Sequence, residues 1–167
     1  NCSLDSLFRE EMDKRSDNYS NLRVEEVEGF RYITHTVVSS DPEGDALDRV
    51  FKFAAEHGIK DPRVIGWDFP HVSVEQINVY NMHGYTAAWV LPDGLTPEGY
   101  EIKEQPKHKY AAIHIDRPFD NPFVTIPSAY QTLNDYMKVN GITPDCDGVI
   151  PCFETDGDTM DIYIACN

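Results

Sequence analysis

Val64-Ile65-Gly66-Trp67-Asp68-Phe69 and Val149-Ile150-Pro151-Cys152-Phe153-Glu154 are the two stretches on which the fold turns. Each is a short run with a strong apolar start, and each follows an amphipathic segment stopped by a glycine. His57-Gly58-Ile59 stops the first segment and Asn140-Gly141-Ile142 the second. Ahead of each helical segment stands a strand-like run, Tyr32-Ile33-Thr34-His35-Thr36-Val37 in one case and Tyr110-Ala111-Ala112-Ile113-His114-Ile115 in the other. Tyr32 and Tyr110 are 78 apart, Gly58 and Gly141 are 83 apart, and Phe69 and Glu154 are 85 apart. A drift of a few residues is what loops of unequal length produce. The chain is therefore written twice. Two units that each expose an apolar face pack together, and their seam is a natural pocket. On this spacing one copy has Glu154 where the other has Phe69.

A length of 167 residues fits one domain or two intimate halves of one, and 41% hydrophobic residues suffice for a core. No window holds 18 uninterrupted apolar residues, and no basic-then-apolar signal segment opens the chain. The first residue is Asn1 rather than Met, from which we expect a longer parent or a processed chain. Fourteen basic against 29 acidic residues give a net charge of −15. Such a field repels phosphate backbones and argues against direct nucleic-acid binding by this segment. Cys2, Cys146, Cys152 and Cys166 show no CxxC and no metal-ligand spacing. Reduced thiols and a cytoplasmic home are expected, with neither metal nor cofactor.

Residues 1–21 read as a separate N-terminal helix or connector. Leu4, Leu7, Phe8 and Met12 form a helical stripe, either a packing helix of the same domain or a link from an upstream one. The remainder, 22–167, divides into a first repeat over 22–91, a linker over 92–99 and a second repeat over 100–167. Arg23 to Val27 and Tyr32 to Val38 read as a strand pair turning at Glu28-Gly29. Asp45 is the expected cap of the first helix and Thr125 that of the second, with Gly58 and Gly141 as stops. Gln76 to Leu91 reads as a long strand or bulged pair, with Gly84 at a bulge or bend. The fold class is α+β: duplicated βαββ units with pseudo-twofold symmetry, an antiparallel sheet with helices on one side, and a central ligand cleft.

Glu154 is the sharpest candidate for chemistry. It ends an apolar run and shares a strand face with Cys152 and Ile150. Desolvating a carboxylate costs free energy unless a cation or hydrogen-bond donors compensate. The other reading is a strand end meeting solvent before Thr155-Asp156-Gly157-Asp158. Trp67, Phe69, Tyr80, Tyr85, Trp89, Phe153 and Tyr163 gather on the strands after each helix. Aromatic faces attract cations and stack on flat rings, so an aromatic cage closed by one carboxylate suits a lipophilic cation. His35 and His114 sit on corresponding strands without a metal-ligand spacing. Asp156, Asp158 and Asp161 surround a turn and lack the full calcium pattern.

With these features in hand, the chain resembles the GyrI-like superfamily, the effector-binding module of AraC-type and MerR-type multidrug-responsive bacterial regulators. The resemblance covers roughly 22–167. It rests on the paired strands Val24 to Val37, the His57-Gly58-Ile59 stop with Ile65 to Pro70, the helix around Ile126 to Leu133 with Asn140-Gly141, and the ending Cys152-Phe153-Glu154 to Ile164. It implies two βαββ units about a pseudo-twofold axis, with an acidic residue of the next-to-last strand facing an aromatic cleft for flat cationic or amphiphilic molecules. By position Glu154 is that residue and Tyr163 a pocket wall. Members often show Glu-x-Tyr there, whereas this chain has Glu154-Thr155-Asp156.

The leading expectation is a sensor of hydrophobic cations, with Glu154 as the charge partner and Tyr163, Trp67, Phe69, Tyr80, Trp89 and Cys152 around the ligand, attached to an upstream DNA-binding domain. One alternative is a small-molecule hydrolase of the same superfamily using Glu154 and Tyr163. Another is an acidic protein-binding inhibitor of the gyrase-inhibitor type.

Overall fold

The computed structural model describes residues 18–167, so the helical stripe expected over Leu4 to Met12 lies outside the described residues. The fold is α+β, as expected, and the chain divides into two compact units. One comprises 29–105, and among the described residues the other joins 18–28 to 106–167.

The unit over 29–105 contains β2 (Phe30–Ser39), α1 (Pro42–Glu56), β3 (Arg63–Asp68), the short α2 (Val74–Asn78), β4 (His83–Val90) and β5 (Lys103–Gln105). All its strand pairings are antiparallel, in the order β3-β4-β2-β5. Alternate residues of β4 and β2 turn toward α1. Tyr85, Ala87, Trp89 and Ile33 are buried with Ala46, Val50 and Ala54 of the helix. Each large apolar side chain withdrawn from water in this way stabilises the fold by about 1.5–3 kcal/mol.

The other unit contains β1 (Tyr19–Val27), β6 (His108–Ile115), α3 (Pro122–Val139), β7 (Cys152–Thr155) and β8 (Met160–Ala165). Its order is β1-β6-β8-β7, again antiparallel. Ala111, Ile113, Ile115, Met160 and Ile162 pack with Ala129, Leu133 and Met137 of α3.

The duplication is visible in single hydrogen bonds. Leu91 N donates to Arg31 O at 2.9 Å, and Cys166 N donates to Lys109 O at 3.0 Å. The helix stops match too: Ile59 N donates to Ala54 O and Ile142 N to Met137 O, with Gly58 and Gly141 at φ +77° and +67°. That left-handed backbone is where glycine ends a helix without a Cβ penalty.

Four local expectations are corrected. Strand β1 does not pair with β2; it lies on β6, and β2 takes the short β5 instead. A two-residue hairpin turn needs positive φ, and Gly29 is not among the positive-φ residues, so Glu28-Gly29 carries the chain onward. The helices start before Asp45 and Thr125, after Asp41 and Asn121, because Pro42 and Pro122 suit a first helical turn. Residues 76–78 are helical rather than strand: Ser73 and Gln76 form a reciprocal capping box that nucleates α2. Gly84 lies in an unbroken β2–β4 register, and a Cβ there would collide with the Phe69 carbonyl, so it marks close backbone approach and not a bulge.

Candidate functional site

Strand register decides which way Glu154 faces. Glu154 lies opposite Ile162 across β7–β8, and Ile162 lies opposite Ile113 across β8–β6. Directly paired residues share a face, and Ile113 and Ile162 belong to the cluster under α3. Glu154 therefore points to the helix side, where it is 8% exposed. Tyr130 of α3 donates its hydroxyl to Glu154 Oε2 at 3.1 Å. A carboxylate taken out of water needs such donors, and a phenol supplies one without bringing positive charge. Cys152, two residues earlier, lies half-buried on the same face.

The opposite face of this unit carries a second constellation. Tyr163 stacks on Phe153 with ring centroids 4.7 Å apart and planes at 17°. Tyr110, whose hydroxyl donates to Ile150 O at 2.8 Å, meets Phe153 edge-on at 5.2 Å. The Arg23 guanidinium sits 5.7 Å from the Tyr163 ring centroid, and its Nη2 donates to the Tyr163 hydroxyl at 3.3 Å. Arg23 also bonds Glu25 through Nε at 3.3 Å, and its Nη2 lies 3.7 Å from Asp161. Burial, then Glu25 and Asp161, push the Tyr163 phenol up to about 12, with Arg23 opposing them. His114 lies between two carboxylates, Nδ1 at 2.8 Å from Asp161 and Nε2 at 3.1 Å from Asp116. Tyr163 and Glu154 thus belong to opposite faces of one unit.

No family model matches the sequence, and no curated protein matches it. Solved structures do. EcmrR in a complex with DNA superposes with a TM-score of 0.59 at 13% identity over 98% of this chain. The chain spans 65% of that EcmrR chain. The EcmrR C-terminal domain alone gives 0.56 at 12% identity, covering 88% of this chain and 97% of the domain. A hydrolase from Listeria innocua gives 0.54 at 12% identity, covering 96% and 98%. The chain shares its fold with these proteins. At such identities the likeness is one of fold.

Within this fold the remaining sequence-derived candidates are dispersed. Trp89 is fully buried on the α1 side of its unit. Trp67 is on the reverse face of the same sheet, edge-on to Tyr32 at 6.4 Å. Phe69 follows β3 and meets His71 at 5.1 Å. Tyr80, just after α2, is 59% exposed. His35 faces α1, edge-on to Phe53 at 5.9 Å, whereas His114 is on the face away from α3. Among the described residues no group of His, Cys, Asp and Glu has a metal-binding arrangement. No described helix is long and apolar enough to cross a membrane.

The ladders also correct the spacing-based match of Glu154 with Phe69. Ile113↔Ile162↔Glu154 in one unit corresponds to His35↔Ala87↔Gly66 in the other. The counterpart of Glu154 is Gly66, an offset of 154 − 66 = 88. The reason is loop length. Gly58 to Gly66 takes 8 residues and Gly141 to Glu154 takes 13, so counting along the sequence slips. Sequence reading missed Tyr130, which it placed on the apolar helix face. The signal was there: Tyr130 lies 83 residues after Leu47, the same offset as the two helix stops, so a hydroxyl replaces a plain hydrocarbon.

Proposed function

We propose that this chain is an effector-binding module that takes a hydrophobic cation against Glu154. The observation that carries the reading is the Glu154–Tyr130 pair: an almost fully buried carboxylate, facing an apolar helix side, held by a neutral hydroxyl. A lipophilic cation approaching that carboxylate gains an interaction that is stronger in a low dielectric than in water. Tyr130 then keeps the Glu154 carboxyl group aimed. The fold likeness to the EcmrR C-terminal domain, part of a protein solved with DNA, supports an origin in a transcription regulator. In that setting the partner is an upstream DNA-binding domain, and ligand binding acts by favouring one of two arrangements of the whole protein.

A second reading has its own support. The likeness to a Listeria innocua hydrolase extends over 96% of this chain, and a carboxylate 3.1 Å from a phenol is a workable general acid–base pair. In that reading Glu154 activates water and Tyr130 moves the proton.

The test is a thermal-shift series with tetraphenylphosphonium and planar dye cations, beside neutral and anionic analogues, on wild type and Glu154→Gln. Cations raise the wild-type melting temperature by several degrees, and Glu154→Gln abolishes most of that shift. Equal shifts in both proteins, or none in either, overturn the sensor reading. Steady consumption of an electrophilic ester or epoxide that stops in Glu154→Gln would install the hydrolase instead.

A further inference from the structure

The entry of α3 presents three apolar side chains to water. Phe119 is 52% exposed, Phe123 92% and Val124 57%. They belong to one short stretch, the end of the β6–α3 loop and the first turn of the helix. The base under them is fixed. Pro118 is fully buried, and Thr125 O accepts the Tyr19 hydroxyl at 2.7 Å. The matching entry to α1 is polar: Glu43 and Gly44 follow Pro42, whereas Phe123 and Val124 follow Pro122. Clustered apolar side chains on a pinned surface mark a place where something docks.

The chain itself leads a segment to this spot. Strand β1 starts at Tyr19, opposite Ile115 of β6. One residue earlier, Asn18 O accepts the Asp116 amide at 3.0 Å, and Asn18 Oδ1 accepts Arg117 Nε at 2.9 Å and Nη2 at 2.6 Å. Residues 1–17 therefore join the described structure beside Arg117, and Phe119 is the second residue after Arg117. Leu4, Leu7, Phe8 and Met12 are spaced for one face of a helix, with Arg9, Glu10 and Asp13 on the other side. Such a helix runs about 12 Å from Leu4 to Met12. Met12 is six residues ahead of Asn18, a span of at most about 21 Å, so the stripe is tethered close to the entry of α3.

The other copy shows the same use of the chain. Ahead of β5, the outermost strand of its unit, Leu95, Tyr100 and Ile102 pack against the core under α1. Charge separates the two occupants that the chain could supply. A second copy brings a net charge of −15 to the patch, whereas residues 1–17 carry three basic against five acidic residues. We infer that residues 4–12 form a helix that lays Leu4, Leu7, Phe8 and Met12 on Phe119, Phe123 and Val124. The chain's own N-terminal segment thus covers the entry of α3. The inference is independent of the Glu154 reading.

The experiment is amide hydrogen exchange on the full chain at two protein concentrations tenfold apart, in wild type, Phe123→Ser, Phe8→Ser and Arg9→Ser. A helix this short is marginal alone in water, so protection of its amides reports docking. The expected result is that amides within residues 4–12 exchange at least about tenfold more slowly than in an open chain, equally at both concentrations. Phe123→Ser and Phe8→Ser remove that protection, and Arg9→Ser keeps it. Phe123 is almost fully exposed, so Phe123→Ser leaves the β6 amides protected, which shows that the variant folds. A nuclear Overhauser contact between the Phe8 and Phe123 rings completes the expected result. An unprotected segment in wild type overturns the inference, as does protection that survives Phe123→Ser. Protection that appears only at the higher concentration assigns the patch to a second copy and overturns it too.

Discussion

The two units share one skeleton and differ in what they place at matching positions under the helix. In the unit holding α3, Glu154 and Tyr130 form a buried polar pair. In the unit holding α1, the same positions are Gly66 and Leu47. The space over Gly66 is taken by Tyr85: a Cβ at Gly66 would collide with the Tyr85 hydroxyl and ring. One unit thus gives the position to a carboxyl group, while the other fills it with an aromatic side chain 4% exposed. Duplication preserved the frame, since ladders and helix stops tolerate little change. It released the side chains, since the cost of one buried carboxylate is local. The proposed site, on this comparison, sits where the copies diverge.

The comparison can be broken at Gly66. Gly66→Ala should destabilise the protein by about 1–3 kcal/mol, because the added methyl must displace the Tyr85 ring within a packed core. In a Tyr85→Ala background the same change should cost far less, and this non-additivity, measured as urea midpoints, is the signature. If Gly66→Ala costs the same in both backgrounds, Tyr85 does not fill the place that Glu154 occupies in the other copy.

Tyr130 sharpens the other half. Tyr130→Phe should cost about 1–2 kcal/mol at neutral pH by removing one donor from the buried carboxylate. Tyr130→Leu, the residue of the other copy, removes the same donor and adds a packing loss. The loss in Tyr130→Phe should shrink in a Glu154→Gln background; a loss of unchanged size there would mean that the hydroxyl serves something other than Glu154.

His35 gives the smallest effect. Burial, with help from Arg49, lowers its pKa below the ordinary 6.5. A depressed histidine is neutral in the folded state and charges first in the unfolded chain. Its contribution is therefore complete above pH 6.5 and declines as pH falls through the folded-state value. The counterpart is Ile113, which does not titrate. His35→Ile should narrow the gap between stabilities measured at pH 7 and pH 5. A gap of unchanged width would show that other groups carry the acid sensitivity.

Much of this was legible in the sequence because it is local. Period-3.6 stripes gave both long helices, glycines gave their stops, and the repeat gave the βαββ order. Legibility failed where position depends on a partner far along the chain. Glu28-Gly29 looks like a hairpin turn, yet β1 goes to β6. Glu154 looks like the match of Phe69, yet five extra loop residues in the second copy move the match to Gly66. Glu154 and Tyr163 looked like walls of one pocket, yet β7 and β8 turn them to opposite faces.

The sequence by itself determined that two copies of one α+β unit follow each other, that the chain is strongly acidic, and that one copy ends its apolar strand on a glutamate. These are properties of composition and short-range period, fixed by covalent order. Only the tertiary structure decided that β1 and β5 trade neighbours, that Glu154 meets Tyr130 under a helix, and that Tyr163 turns to the other face. Each of those depends on hydrogen-bond register between distant segments. A shift of one residue in a strand reverses every side chain on it, so register, and not residue type, assigns each group to its face.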